Sequence, residues 1–202
     1  MRAMLAVVLV AAGAAPARAQ WAASAYIDNN VAGDVQSGRV GLGVSAGYYL
    51  RDRIGLELDA ELHGHFFRDA DVADLVPTEV DLNTRAAIAS GNLVVPYCIR
   101  GAAGTWCPYA TAGLGVIHAS FDAAGMSGAE SFDRTQTDLT LNAGVGVMHA
   151  LTRWVGVRVD ARYFRALVDE SSTSADYLTD YGYWRVSVGI TFGGPQLGPT
   201  SP

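Results

Sequence analysis

The residues most able to do chemistry concentrate in residues 54–67, where acidic side chains and histidines occupy every second position. That set contains Glu57, Asp59, Glu61, His63 and His65, while most of the intervening residues are apolar. Because successive side chains of a strand point to opposite faces, the pattern predicts a β-strand with one apolar face and one charged face. Carboxylates on one face can bind cations, relay protons or pair with arginines.

Arginines that could pair with these carboxylates recur near the end of the chain with the same alternation. The predicted interior charge network comprises Glu57, Asp59, Glu61, Asp81, Arg85, Arg158, Asp160, Arg162 and Arg185. Two roles fit such a network, a proton or ion path and an electrostatic plug. The plug is favoured if the strands close around a narrow interior, because buried charges are tolerated when they are paired.

Two weaker patterns could also support chemistry. His63 and His65, with Asp69 and Asp71 beyond them, could contribute to a metal site, but the sequence identifies no complete ligand set, so we predict neither a metal nor a cofactor. His118 and Ser120 share a strand face and resemble the His-x-Ser pair of the outer-membrane lipid A deacylases. That resemblance implies an enzyme, for which Glu130 could serve as the orienting acid, although Phe121 stands where that family has a polar residue.

Length and composition favour one exported domain. The chain has 202 residues, all of its 14 positive side chains are arginines, and its net charge of −6 argues against a nucleic-acid partner. Residues 1–19 have the pattern of a signal peptide, with Arg2, an apolar run and a small-x-small cleavage site. Export permits a disulfide between the only cysteines, Cys98 and Cys107.

The elements that must position these residues are eight alternating segments. They cover residues 21–27, 39–50, 54–67, 79–95, 108–121, 137–151, 154–168 and 181–192. Long and short connections alternate between them, which is typical of an up-and-down meander. Closure would remove exposed sheet edges, so we predict an all-β fold, an eight-stranded antiparallel up-and-down β-barrel over residues 20–192, with a disordered tail at 193–202.

The side-chain pattern favours a transmembrane barrel over a soluble ligand-binding β-barrel. The non-apolar face is rich in small residues, which suit a narrow interior better than a solvated surface. The acidic residues lie on the third and fourth strands and the arginines on the seventh and eighth, across a barrel of eight. Aromatic residues also gather at strand ends, as in interfacial girdles (Trp21, Tyr48, Trp154 and Phe192 at one end; Phe66, Phe121, Tyr163 and Tyr181 at the other).

These strands, the signal peptide and the ending RVSVGITF resemble the eight-stranded outer membrane protein β-barrels of the OmpA/OmpX-like group. The resemblance implies the outer membrane of a Gram-negative-type bacterium, contact with lipid and lipopolysaccharide, and recognition of the last strand by the barrel assembly machinery. Arg185, Ile190 and Phe192 match that assembly signal, whereas Ser187 stands where glycine is usual and ten residues follow the aromatic.

The resulting functional expectation is a non-enzymatic barrel that contributes to envelope structure or surface interaction. Its loop side is predicted to be acidic and could contact an unidentified surface partner or divalent cations. The acidic loop residues are Asp28, Asp34, Asp69, Asp71, Asp74, Asp122, Glu130, Asp133, Asp169, Glu170 and Asp176. The alternatives are a deacylase that uses His118 and Ser120, or the soluble barrel.

Overall fold

A computed structural model describes residues 19–50, 53–67, 82–101, 104–123, 132–152, 154–167 and 181–194, which form strands and the turns between them. The strands are β1 (Ala19–Gly33), β2 (Val40–Leu50), β3 (Ile54–Gly64), β4 (Leu82–Pro96), β5 (Ile99–Gly101), β6 (Gly104–Ala123), β7 (Phe132–Ala150), β8 (Val155–Leu167) and β9 (Gly182–Gly193). Within the described ranges, no helix has the length and apolarity needed to cross a membrane.

Eight long strands close into an antiparallel barrel, which confirms the predicted fold. The strand order is β4–β3–β2–β1–β9–β8–β7–β6, and β6 pairs with β4 to complete the ring. The three-residue β5 pairs only with the beginning of β6 and forms a small hairpin outside the ring. This hairpin carries the predicted disulfide, since Cys98 and Cys107 are bonded.

The barrel has an apolar exterior and a charged interior. Along β3 burial alternates strictly, with Glu57, Asp59 and Glu61 buried and the leucines of the opposite face exposed. Leu58 is 71% exposed, although a soluble protein would bury such a side chain. The predicted inward direction of the polar face is therefore correct for this strand, and the soluble barrel is excluded by the continuous apolar wall.

Glycines on β2 make room for large side chains from neighbouring strands. Gly43 faces the Tyr26 ring so closely that a Cβ atom there would overlap it. Gly55 on β3 similarly lies beneath the ring of Tyr49. The small residues of the polar face thus allow longer side chains to cross the lumen.

Strands β1, β6 and β7 begin or end further out than predicted, and β9 ends one residue later. Asp122 and Asp133, expected in a loop, therefore pair with each other across β6 and β7. Asp28, which we expected to begin a loop, lies within β1 and is buried, because β1 pairs with β2 and β9 beyond this position. Ala19, expected to end the signal peptide, pairs with Leu50. Gly193 and Gly194, expected to begin a disordered tail, donate backbone hydrogen bonds to Trp154 and Trp21. Residues 1–18 and 195–202 lie outside the described residues, so the signal peptide and the rest of the tail remain predictions.

The predicted facing of β4 is wrong. Arg85 points outward and is exposed, whereas Thr84, Ala86 and Ile88 point into the barrel. The physical reason is that the interior near the long-loop end is apolar, and Ala86 and Ile88 belong to a buried cluster there. Asp81, predicted on the same face as Arg85, lies outside the described residues.

Among the described residues, aromatic side chains lie on the outer wall at both ends of the barrel, and at the long-loop end the predicted Tyr163 lies beside exposed Trp184, with ring centroids 5.4 Å apart. Near the short turns, Trp21, Trp154 and Phe192 are exposed on the outer wall, and the Trp21 and Tyr48 rings lie 4.9 Å apart. At the opposite end, Phe66 and Tyr181 are buried inside the barrel rather than facing lipid, which corrects their prediction as girdle residues. The side chain of Phe121 is not among those described.

Candidate functional site

The centre of the lumen contains an ion-pair network between opposite walls of the barrel. Strands β3 and β8 are four strands apart in either direction around the ring. Arg158 of β8 nevertheless reaches Glu57 of β3 with two guanidinium nitrogens, one of them Nη2 at 3.0 Å from Oε1. Its Nε also donates to Asp160 Oδ2 at 3.1 Å. Such bidentate pairs are among the stronger hydrogen bonds in proteins.

Two further arginines complete the network. Arg162 Nη2 donates to Glu57 Oε1 at 2.9 Å, and its Nε lies 3.3 Å from Asp160 Oδ1. Arg185 of β9 contacts Glu61, and its Nη1 lies 3.7 Å from Asp59 Oδ1. The expected contacts between these arginines and the carboxylates of β3 are therefore present.

Tyrosines on the same interior faces extend the network. The Tyr26 hydroxyl donates to Asp59 Oδ1 at 2.6 Å. The Tyr109 hydroxyl donates to Asp160 Oδ2 at 2.8 Å and accepts from Arg158 Nε at 2.7 Å. Sequence reasoning missed both tyrosines.

The structure thus brings together seven of the nine predicted network residues. They are Glu57, Asp59, Glu61, Arg158, Asp160, Arg162 and Arg185, and all are buried. Arg85 is on the outer wall, as described above. Burial of this many charges is tolerable because each one faces an opposite charge, and removing one partner would leave another unpaired in a dry environment.

Buried apolar clusters lie beyond the network at both ends. The cluster at the long-loop end includes Phe66, Phe67, Phe164, Tyr181 and Tyr183. Their rings pack at close range, with Phe164 and Tyr183 stacked at 5.1 Å and Phe66 edge-on to Tyr183 at 5.3 Å.

At the short-turn end, a smaller cluster contains Tyr49, Val94, Tyr109 and Met148, with the disulfide of Cys107 beside it. The charged centre is therefore covered by large side chains on each side.

Between the network and the long-loop cluster lies a smaller polar group formed by Asp28, Glu61 and His63, all buried. His63 Nε2 lies 3.2 Å from Asp28 Oδ1 and 3.3 Å from Glu61 Oε2. Sequence reasoning assigned Asp28 to a loop and placed His63 with His65 as possible ligands. His65 instead follows the end of β3 in a left-handed conformation with φ of 52° and is exposed.

A closed eight-stranded barrel with an apolar wall and a charged interior has the architecture of bacterial outer membrane proteins. Residues 3–192 match the family model described as "Outer membrane protein beta-barrel domain". The chain belongs to this outer membrane β-barrel family. It is accordingly an outer membrane protein of the Gram-negative type.

Solved outer membrane barrels share this fold at low sequence identity. The N-terminal β-barrel domain of Pseudomonas aeruginosa OprF is 16% identical, with a TM-score of 0.54 over 87% of this chain and 97% of that one. Neisserial surface protein A is 19% identical, with a TM-score of 0.53 over 86% and 96% of the two chains. Ail of Yersinia pestis is 15% identical, with a TM-score of 0.51 over 88% and 99%. No curated protein matches the chain.

The possible enzyme site lies on the outer wall of this outer membrane barrel. His118 and Ser120 both point away from the lumen, as expected from their spacing on β6. His118 Nδ1 lies 2.8 Å from Thr137 Oγ1, so its described partner is a threonine of β7. Glu130, the predicted orienting acid, lies outside the described residues.

Proposed function

We propose that this outer membrane barrel is a closed, non-enzymatic protein that contributes to envelope structure or to contacts at the cell surface. One observation carries the proposal. Arg158 and Arg162 of β8 both reach Glu57 on the opposite wall, so the ion pairs span the lumen where a conducting pore would need water. A network that fills the lumen favours a plug over an ion path.

The proposed partners follow from the surfaces of the barrel. The apolar wall requires outer membrane lipid and lipopolysaccharide around it, and β9 carries the residues that resemble an assembly signal, with Ile190 and Phe192 exposed. One structure of Ail is of its complex with the heparin analogue sucrose octasulfate. The predicted loops of the present chain are acidic, so we expect its surface partner to be cationic, or held by divalent cations, rather than sulfated.

A conductance measurement tests the plug. Purified protein reconstituted in planar lipid bilayers should give no stepwise currents, because the side chains of the network exclude a continuous water column. Arg162→Ala removes a fully buried side chain from the centre and should introduce small, short openings. Arg85→Ala, on the outer wall, is the matched control and should stay silent. Regular currents from the unmodified protein would overturn the plug.

A second measurement tests the absence of enzymatic activity. Lipopolysaccharide incubated with the folded barrel should release no fatty acid, because the described partner of His118 is the neutral Thr137 and not an orienting carboxylate. Acyl release that disappears in Ser120→Ala would establish the deacylase instead. Thr137→Ala serves as a further arm, since freeing His118 should not create activity if the site lacks the rest of a catalytic group.

A further inference from the structure

We infer that Asp28, Glu61 and His63 form a binding site for a divalent first-row transition cation of the Zn²⁺ type. The sequence alone predicted no metal, because Asp28 appeared to belong to a loop and its distance from β3 could not be known. The fold places all three side chains inside the barrel, with ligand atoms within 4.8 Å of one another. The proposal goes beyond the plug, since a closed barrel needs no bound metal.

The donor geometry suits a small cation. His63 Nε2 is 3.2 Å from Asp28 Oδ1 and 3.3 Å from Glu61 Oε2. Ligands at about 2.0–2.1 Å from a tetrahedral Zn²⁺ are separated by roughly 3.3 Å, so small shifts would place an ion between these atoms. Nε2 of His63 can face these oxygens either as an N–H donor, as in its contact with Glu61, or as a lone-pair ligand of a cation.

Gly41 creates the space for this arrangement. Asp28, Gly41 and His63 lie in one row across three adjacent strands, because Gly41 pairs with both of the others. A Cβ atom at Gly41 would lie 2.7 Å from Asp28 Oδ1 and 2.6 Å from His63 Nδ1. The missing side chain therefore lets residues of two non-adjacent strands, β1 and β3, approach each other.

Unsatisfied polar atoms provide an independent indication of a ligand. Asp28 is only 2% exposed, yet neither of its carboxylate oxygens accepts a hydrogen bond within the described part of the chain. Asn30, the next interior residue of β1, also has no hydrogen-bond partner for its amide nitrogen or its amide oxygen among the described residues, and His63 Nδ1 has none. Buried polar groups without partners are costly, so the cluster is expected to hold a ligand that the protein itself does not supply.

The charge balance of the lumen favours a cation. Among the described residues, six buried carboxylates (Asp28, Glu57, Asp59, Glu61, Asp138 and Asp160) face three buried arginines. The arginines contact the four carboxylates of the central network, whereas Asp28 has only His63 at ion-pair distance among the described residues. A divalent ion beside Asp28 would reduce this negative surplus. Glu61 would face the ion with Oε2, which lies near His63, while its Oε1 contacts Arg185.

The ligand types indicate the class of metal. Imidazole combined with carboxylates suits Zn²⁺, Co²⁺ and Ni²⁺ better than Ca²⁺ or Mg²⁺, which prefer oxygen ligands alone. Three protein ligands leave at least one position for water. Because Asp28 is on β1 and Glu61 and His63 are on β3, the bound ion would link two strands that are separated by β2, next to the aromatic cluster that His63 contacts through Phe66 at 5.3 Å.

Metal titration of the full chain, without a histidine tag, tests the site. The protein is refolded from urea into detergent with Co²⁺ present and then freed of unbound metal. We expect one Co²⁺ per chain, visible absorption bands from nitrogen and oxygen ligands, and displacement by Zn²⁺. Asp28→Asn and His63→Gln should each weaken binding by more than about 100-fold, since even outer-sphere changes cost 10–100-fold. Zn²⁺ should raise the urea midpoint of the unmodified protein and of neither variant.

The matched control is His65→Asn, a change of the neighbouring exposed histidine to a residue that tolerates its positive φ. It should bind Co²⁺ like the unmodified protein. Heat-modifiable gel mobility reports whether each variant has folded, and a variant that fails to fold is replaced by Glu61→Gln. Absence of stoichiometric binding by the folded, unmodified protein would overturn the proposal. Binding that survives in folded Asp28→Asn and His63→Gln, or is lost in His65→Asn, would do the same.

Discussion

The pair formed by Arg158 and Glu57 shows how single residues stabilise the barrel. Arg158→Met leaves Glu57 with fewer cationic partners in a buried position, so it should lower the free energy of unfolding by about 3–5 kcal/mol. Adding Glu57→Gln removes the unpaired carboxylate charge and should recover part of the lost free energy of unfolding. The double variant should therefore lose roughly 1–3 kcal/mol less than the sum of the two single variants. Urea titrations in detergent of the two single variants and the double variant measure this coupling.

Arg85→Met provides the comparison for that cycle, because Arg85 is exposed on the outer wall and outside the network. It should change the urea midpoint little. Strictly additive losses from Arg158→Met and Glu57→Gln would mean that each side chain is solvated separately, and that the lumen contains water rather than a plug.

At the residue scale, alternation was enough to predict most of the network but not all of it. Arg158, Asp160 and Arg162 are charged at every second position, so the sequence predicts that they share one face of a strand. The sequence does not predict an interior position for Asp28, because its neighbours Asn29 and Asn30 are typical of a loop. Only pairing with two partner strands keeps this segment extended. The contact between Asp28 and His63 depends on strand register, which a sequence pattern does not define.

At the scale of the strand, β2 acts as a spacer whose glycines admit side chains from both neighbours. Gly43→Ala should destabilise the protein by about 1–3 kcal/mol, because the new methyl group would collide with the Tyr26 ring and disturb its hydrogen bond to Asp59. Thermal unfolding in detergent, followed by circular dichroism, gives the measurement. Gly91→Ala is the control, since a Cβ atom there meets only Leu58 Cδ2 at 3.9 Å. Equal losses at the two positions would contradict the spacer role.

Strand β4 shows where the prediction from alternation failed. Its first half offers Arg85 on one face and Thr84, Ala86 and Ile88 on the other, which predicts that Arg85 points inward. The second half of the strand indicates the opposite facing, because polar Ser90 and Asn92 share the face of Ile88. All three side chains are buried in the barrel. The interior is polar in the middle but apolar at the long-loop end, so one strand can change composition along a single face without changing its direction.

At the scale of the whole molecule, the apolar residues of the outer wall must lie at the depth of the hydrocarbon layer of the membrane, with more polar positions near the headgroups. Leu58 is 71% exposed near the middle of β3, whereas Leu50 is 52% exposed at the short-turn end of β2. Leu58→Arg should therefore cost about 2–4 kcal/mol, the range measured for arginine near the bilayer midplane. Leu50→Arg should cost no more than about 1 kcal/mol, because an arginine at the interface reaches the headgroups.

Urea titration of protein folded into lipid vesicles measures both substitutions under one condition. The difference between them should largely disappear in detergent micelles that adapt to the protein, because the penalty arises from the hydrocarbon layer and not from packing within the barrel. Equal costs for Leu50→Arg and Leu58→Arg in vesicles would mean that β3 does not cross the bilayer with Leu58 at its centre, and would require a different tilt or depth for the barrel.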